Sequence, residues 1–315
     1  MRVLVTGGAG FIGANLCARL TGDAGIDSVV AFDDLSSGSI TNLDGSRAEL
    51  VEGTVLDRDA VMAAVGPADV VVHLAARVSV EQSAADPLGT HEVNATGTLN
   101  ILEAARRSKT RQVIIASSAA VYGDGDGAPA AETAPVAPRS AYGASKVAAE
   151  AYASAYHTSF GLGTLALRFF NVFGPLQRPD SGYAAVVPTF VTAAIGRRRV
   201  IVHGDGTQTR DFVYVGNVCA VIQDAIARSV SLPGPVNVAS GTSISLNDLL
   251  ATLERLVGHP LEREFGPSRP GDVHDSRGDT GLLTRLFPEV PIETFDAGLE
   301  STLASARATN ATVRA

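Results

Sequence analysis

The first thirteen residues constrain the fold of this chain more than any other stretch. Arg2-Val-Leu-Val-Thr6 is a short apolar run, and Thr6-Gly7-Gly8-Ala9-Gly10-Phe11-Ile12-Gly13 carries it directly into a helical pattern. Glycines so spaced suit a strand-to-helix turn that cradles phosphate. Gly7 permits the tight turn, Gly10 lets backbone approach a pyrophosphate at the positive helix end, and Gly13 permits close helix–strand packing.

The pattern then repeats. Apolar runs predict strands at 2–5, 28–32, 48–52, 69–73, 111–117 and 163–169, and helical spacing predicts helices at 11–20, 58–65, 89–107 and 142–159. Val29-Val-Ala-Phe32 and Asp69-Val-Val-Val-His73 lack polar–apolar alternation, as strands buried on both faces should. Strand and helix in alternation read as an α/β fold, a Rossmann-like doubly wound parallel sheet. After residue 172 the pattern loosens, with a helix near 186–197, strands near 200–203 and 236–238, and a helix near 245–257. The expected division is a dinucleotide-binding domain over 1–172, which elements near 205–235 rejoin, a smaller C-terminal substrate-binding lobe over 173–300, and a tail over 301–315. The Gly-, Pro- and Ala-rich stretch 123–140 predicts a surface loop.

Composition excludes several functions. A net charge of −8 and a pI near 5.3 argue against nucleic acid or an anionic membrane as partner. Cys17 and Cys219 offer neither a disulfide framework nor metal spacing, and the six histidines form no HxH or HExxH pattern, so no metal is expected. The chain opens on a strand rather than a leader segment and has no apolar run of membrane-spanning length, so a cytoplasmic protein is expected.

The chemistry is carried by Ser140-Ala-Tyr142-Gly-Ala-Ser-Lys146. A lysine four residues after a tyrosine lies on the same helix face. A phenol titrates near ~10 and is a poor base at neutral pH; a close ammonium and an oxidised nicotinamide would favour the phenolate. The result is a general base beside a hydride acceptor, the equipment for oxidising a secondary alcohol. Lys109 and Lys146 are the chain's two lysines, every other basic side chain being arginine. The second strand ends in Asp33-Asp34, where a carboxylate accepts from ribose hydroxyls and repels a 2′-phosphate. No arginine follows nearby, so NAD is expected rather than NADP, with Asp33 preferred to Asp34 as ligand.

The glycine turn, His73-Leu-Ala-Ala76, Ser117-Ser118, Tyr142 to Lys146, Arg168-Phe-Phe-Asn171 and Arg269-Pro-Gly-Asp272 occur in this order. Together they resemble the extended short-chain dehydrogenase/reductase superfamily, in its branch of NAD-dependent nucleotide-sugar epimerases and dehydratases, and especially the UDP-hexose 4-epimerases. The resemblance covers Arg2 to about Asp279. It implies that Tyr142 takes the proton from a sugar 4-hydroxyl, that Lys146 holds the nicotinamide ribose, and that Ser118 hydrogen-bonds O4. Hydride passes to NAD, the 4-keto sugar turns about its diphosphate link, and the hydride returns on the other face.

The resemblance also implies cofactor contacts at Gly7, Gly10, Phe11, Ile12 and Gly13, at Asp33, Asp34, Ser37 and Gly38, at Thr54 and Val55, at Leu74, Ala75 and Ala76, and at Asn94 and Phe169. Substrate contacts follow at Asn171, Val187 and His203, with Arg210 and Arg269 on the diphosphate and Asp272 on the nucleoside ribose. Family dehydratases and decarboxylases carry an acid just after the serine, where this chain has Ala119-Ala120, which favours epimerisation. Gly53-Thr54 stands where the family often has Gly-Asp, and Asn217 where it has Asp.

The sugar stays open. Ser276, near the position that gates the C2 substituent, is small and does not exclude N-acetylhexosamines. Gln177-Arg178-Pro-Asp180 resembles UDP-glucuronate 4-epimerases, with Arg178 pairing a C6 carboxylate, whereas Asn171 is typical of relatives acting on neutral sugars. UDP-glucuronate, UDP-glucose and UDP-N-acetylglucosamine are all candidates. A dehydratase or reductase, or a non-catalytic dinucleotide-binding regulator, are the alternative readings. The resemblance further implies a homodimer joined through the helices at 89–107 and 142–159.

Overall fold

The computed structural model describes residues 1–124, 127–179, 185–267 and 275–314. The first strand, β1 (Arg2–Thr6), passes through the glycine turn into α1 (Phe11–Leu20), and β2 (Ser28–Asp33), β3 (Glu49–Glu52), α2 (Arg58–Val65) and β4 (Val70–His73) follow. Then come α3 (Val80–Ala85), α4 (Pro87–His91), α5 (Gly97–Ser108), β5 (Gln112–Ser118), α6 (Ala141–Phe160) and β6 (Gly163–Phe169). The second half contributes β7 (Asn171–Phe173), α7 (Val186–Ile195), β8 (Val200–His203), β9 (Thr209–Arg210), β10 (Phe212–Tyr214), α8 (Val215–Arg228) and β11 (Pro235–Val238). It closes with β12 (Ile244–Ser245), α9 (Leu246–Val257), β13 (Arg263–Gly266), α10 (Gly281–Leu286) and α11 (Phe295–Arg314).

Seven parallel strands form the main sheet in the order β11-β6-β5-β4-β1-β2-β3. Fully buried Val70, Val71 and Val72 show why its strands read as unbroken apolar runs. One face packs on α1 and α8 through Leu16, Leu20, Val218 and Ile222, and the other on α2, α5 and α6 through Val61, Ile101, Leu102 and Ala153. The chain turns back between β1 and β4, so the crevice at the carboxyl ends of these strands lies at the topological switch point. A second core, built on Phe173, Phe190, Phe212, Leu249, Leu253 and Leu303, joins α7, α9 and α11 to three two-stranded sheets.

The structure departs from the sequence reading in three places. The helix expected over 89–107 runs from Pro87 to Ser108 but is interrupted by a π-helical turn at Glu92–Thr96. That turn aims Asn94, 1% exposed, inward to accept from Arg77 N at 2.8 Å and donate to Ser145 Oγ at 2.9 Å. Within the 205–235 stretch, for which the sequence sets no helix bounds, α8 runs over Val215–Arg228, and its buried face completes one side of the sheet. The Ala/Thr/Arg-rich segment from Ser301 is helical to Arg314, anchored by buried Leu299 and Leu303.

Candidate functional site

The parallel register brings the carboxyl ends of the strands to one edge. Thr6 pairs with Phe32 and His73, and Ser118 with Phe169. There the glycine turn is tied down from three sides. Asp33, buried, accepts from Ala9 N at 2.9 Å and from Leu35 N at 2.8 Å, while burial pushes its carboxyl up and these two amides draw it down. A methyl on Gly7 (φ +68°) would strike Ala75 N at 2.8 Å, so Leu74 and Ala75 lie directly against the turn. A methyl on Gly38 would strike the Ala9 backbone at 2.8 Å. Gly13 has Gly7 O at 2.1 Å from an added Cβ, whereas Gly10 would meet Gly7 O alone, at 3.2 Å. Gly7, Gly13 and Gly38 are therefore required by packing, and Gly10 leaves an open face at the start of α1. This is the cradle a dinucleotide pyrophosphate fits.

The outlying positions behave differently. Asp34 and Ser37 are exposed, and the Asp34 carboxylate accepts from Ser36 N. Thr54 lies partly buried beyond the end of β3, and Val55 is core that would clash with a side chain on Gly97. Asn94 bridges the Arg77 backbone to Ser145, whose hydroxyl donates to Tyr142 O at 2.7 Å, so it braces the loop after β4 against the tyrosine helix.

Ser140 caps α6, its hydroxyl accepting from Gly143 N at 3.0 Å. The cap places Tyr142 in the first turn, facing Ser118 at the end of β5. Ser118, Tyr142, Phe169 and Ser276 line a cavity of about 700 Å³. Burial pushes the Tyr142 phenol up, and the Ser118 hydrogen bond pulls it down. The ammonium of Lys146 lies 5.9 Å from the Tyr142 ring centroid and donates to Ala116 O at 2.8 Å. Burial lowers Lys146 to about 8, with the Glu150 charge opposing. His73, between Thr6 Oγ1 at 2.7 Å and Thr98 Oγ1 at 3.0 Å, is pushed to about 3 by burial and by Lys146, so it stays neutral. The chain by itself thus leaves the phenol high, and a phenolate calls on the charge of the oxidised nicotinamide in addition to Lys146.

A second cavity, of about 450 Å³, is lined by Val187, His203 and Gln208. Asn171, Val172 and Arg210 line both, so the two spaces meet at Arg210. Beside it, buried Asp211 accepts from Ser240 N, Ser240 Oγ, Gly241 N and Gly278 N at 2.7–3.1 Å, tying the strand of Arg210 to the segment behind Ser276. Arg178 is exposed and lies outside the described linings of both cavities. Arg269 and Asp272 fall outside the described residues. Asn217 both donates to Glu293 O and accepts from Glu293 N at 2.9 Å, a two-way pairing that an ionised carboxylate could not make.

Sequence reasoning missed Glu81, Asp124 and Arg277, which also line the larger cavity. Glu81 comes from the first turn of α3 and the other two from separate loops, and no local pattern marks them. It also missed the ion pair of Glu150 with Arg168 behind Lys146; the helical spacing Tyr142, Lys146, Glu150 was the available signal. Among the described residues no cluster of His, Cys, Asp and Glu could hold a metal, and no helix is long and apolar enough to cross a membrane.

A dinucleotide cradle beside a tyrosine–lysine pair, over a cavity that continues past an arginine, defines an enzyme that moves hydride and proton on an alcohol. The chain belongs to the NAD dependent epimerase/dehydratase family, whose sequence profile matches residues 3–239, and its cofactor is NAD. It is 40% identical over 313 residues to a UDP-glucose 4-epimerase of Mycolicibacterium smegmatis, covering 96% of this chain and 97% of that protein. The structure of UDP-glucose 4-epimerase from Thermotoga maritima with UDP-glucose superposes with a TM-score of 0.92 at 31% identity, covering 98% of this chain and 100% of that one. UDP-glucuronic acid 4-epimerase from Bacillus cereus, in complex with UDP-glucuronic acid and NAD, superposes with a TM-score of 0.88 at 28% identity, covering 98% and 100%.

Proposed function

We propose that this enzyme inverts C4 of a UDP-hexose. The observation that carries the reading is the shared cavity of Ser118 and Tyr142, continuous at Arg210 with a second cavity that suits a nucleotide. Tyr142 takes the proton from the 4-hydroxyl, Ser118 orients O4, and Lys146 holds a positive charge beneath the phenol. Bound NAD supplies the acceptance and return of hydride. Arg210, with Arg269, holds the diphosphate while the 4-keto ring turns in the wider space, and Tyr142 returns its proton to the opposite configuration.

Neutral sugars are the preferred substrates in this reading. Three carboxylates, Glu81, Asp124 and Asp275, line the sugar cavity against Arg210 and Arg277; with Arg210 given to the diphosphate, the remaining balance disfavours a further carboxylate on C6, and Ser276 leaves room at C2. UDP-glucuronate is the second reading, carried by Arg178. Proton NMR of the anomeric region tests both, with an equimolar mixture of UDP-glucose, UDP-N-acetylglucosamine and UDP-glucuronate plus NAD⁺. Appearance of the galacto epimer of a neutral sugar is expected. Epimerisation of glucuronate alone, lost in Arg178→Ala, would transfer the assignment to the acid. A lasting absorbance rise at 340 nm would point to net oxidation and sink the epimerase reading. A homodimer through α5 and α6 is consistent with exposed Tyr152 and Phe160 on α6, and light scattering after gel filtration tests it.

A further inference from the structure

Tyr142, Lys146 and Glu150 stand at successive turns on one face of α6, yet the reaction as described uses the first two. The Glu150 side chain is 10% exposed and is gripped by two residues. Ser117 Oγ donates to Oε1, and Arg168 forks onto both oxygens, Nε to Oε1 and Nη2 to Oε2, each at 2.8 Å. Arg168 is itself fixed, its guanidinium carbon 4.7 Å over the Tyr122 ring, and the Tyr122 hydroxyl donates to Asn237 Oδ1 at 2.6 Å. A buried ion pair is weak as a stability device, since apolar residues of the same size often serve as well or better. Its place behind Lys146 suggests another use.

The charged and titratable groups around Lys146 can be named. On its own helix are Tyr142 and Glu150. His73 faces it from β4 but is neutral, and Arg168 on β6 stands behind Glu150. Strand β5 carries no charged residue. On α5, Glu103 pairs with Arg106 and Arg107 and accepts from Tyr156, further along α6. Glu81, His91 and Glu92 are exposed. Among the described residues, Glu150 is therefore the anion positioned to balance the Lys146 ammonium, which is buried and otherwise donates to the Ala116 carbonyl.

We propose that Glu150 is a positioning residue for the reaction, clamped by Arg168 and Ser117 so that its carboxylate supplies the counter-charge that keeps the Lys146 ammonium protonated beneath Tyr142. The ion pair holds the carboxylate at one place, one helical turn from the lysine, and prevents it from reaching into the substrate cavity. This rests on the tyrosine–lysine reading of the site, so the test reads the ammonium directly and needs no substrate.

The chain has two lysines, Lys146 and exposed Lys109. Protein labelled with ¹³Cε-lysine therefore gives two signals, and Lys109 is the internal reference. In Glu150→Gln the midpoint of Lys146 is expected to fall by about one unit while that of Lys109 stays put, and Glu150→Asp is expected to recover most of the shift. The alkaline arm of the epimerisation rate should move acidward by the same amount with KM unchanged. If Glu150→Gln does not fold around an unpaired arginine, Glu150→Gln/Arg168→Gln removes both charges and should show a smaller downward movement, because losing the more distant guanidinium offsets part of the loss of the nearer carboxylate. A Lys146 midpoint equal to wild type in either variant overturns the proposal. An unmoved midpoint is a failure of the counter-charge; a moved midpoint in a protein that epimerises no UDP-sugar is a failure of the substrate reading.

Discussion

Gly10→Ala and Gly13→Ala, a few residues apart in one turn, should fail in opposite ways. At Gly13 the new methyl would lie 2.1 Å from Gly7 O and 2.8 Å from Gly8 Cα. Both are backbone atoms of the turn, so relief requires moving the main chain. Overpacking of this kind costs about 1–3 kcal/mol, and with no flexible side chain to yield the upper end is expected. For a chain of this size ~3 kcal/mol lowers Tm by roughly 4–5 °C. At Gly10 the backbone is φ −77°, ψ 179°, open to any residue, and the methyl meets Gly7 O alone at 3.2 Å. The weaker helix cap costs about 0.5–1 kcal/mol, and the stiffer unfolded chain returns about 0.4–1 kcal/mol, leaving Tm nearly unchanged. The methyl instead occupies the face where a pyrophosphate approaches. A similar overpacking of about 1–3 kcal/mol there weakens NAD⁺ binding roughly 5- to 150-fold. The chain has no tryptophan, so calorimetric titration of NAD⁺ into cofactor-stripped protein, alongside thermal unfolding by circular dichroism, is the assay. Wild-type NAD⁺ affinity in Gly10→Ala, or equal losses of Tm in the two variants, would refute the division of labour.

Tyr142→Phe should keep NAD⁺ affinity and lose roughly 10²–10⁴-fold in turnover; retention of a tenth of the activity would remove the phenol as proton carrier. His73 is buried and neutral, its pKa lowered from 6.5 to about 3. Between those values the unfolded chain binds a proton that the folded chain does not, so stability falls as pH falls through this window. The full effect is on the order of 5 kcal/mol by pH 3; denaturant midpoints at pH 4 and pH 7 should show a smaller acid loss in His73→Gln than in wild type, and an equal loss would assign the effect elsewhere. Asp211→Asn presents an amide donor to N–H groups that need an acceptor, at a cost of about 1–3 kcal/mol. UDP affinity should weaken roughly tenfold with NAD⁺ affinity unchanged, and parallel loss of both would mark general destabilisation instead.

The parts of the fold legible in the sequence are those set by local rules. Strands buried on both faces read as apolar runs, the glycine turn announced α1, and helical spacing over 142–159 announced α6. The tyrosine–lysine pair was legible because i,i+4 spacing fixes a shared helix face. What was missed depends on partners far away in sequence. The π-helical turn exists so that Asn94 can reach Arg77 and Ser145, which no helical propensity encodes. Helix α11 is held by Leu299 and Leu303 among residues that read as an unpatterned tail. Glu81, Asp124 and Arg277 look like surface charges until a short helix and two separate loops bring them to one cavity. Glu150 sat in view four residues after Lys146, but a glutamate on a helix reads as a solvated face until Arg168 is found across from it.

Because β1 lies in the interior of the main sheet and β11 at its edge, the order of strands in space differs from their order of synthesis. A nascent chain released up to Phe169 has its first strand already enclosed by β2 and β4, but β6 still presents an unpaired apolar edge until Pro235–Val238 emerges. In that interval the growing chain carries a ready template for strand addition by another molecule. The first part of the second core, α7 and β8, is also made before the strand that closes the sheet, while α9 and α11 come after it. Truncation anywhere between β6 and β11 should therefore give aggregates and not a smaller dinucleotide-binding domain, and efficient production should depend on ribosome speed across this stretch.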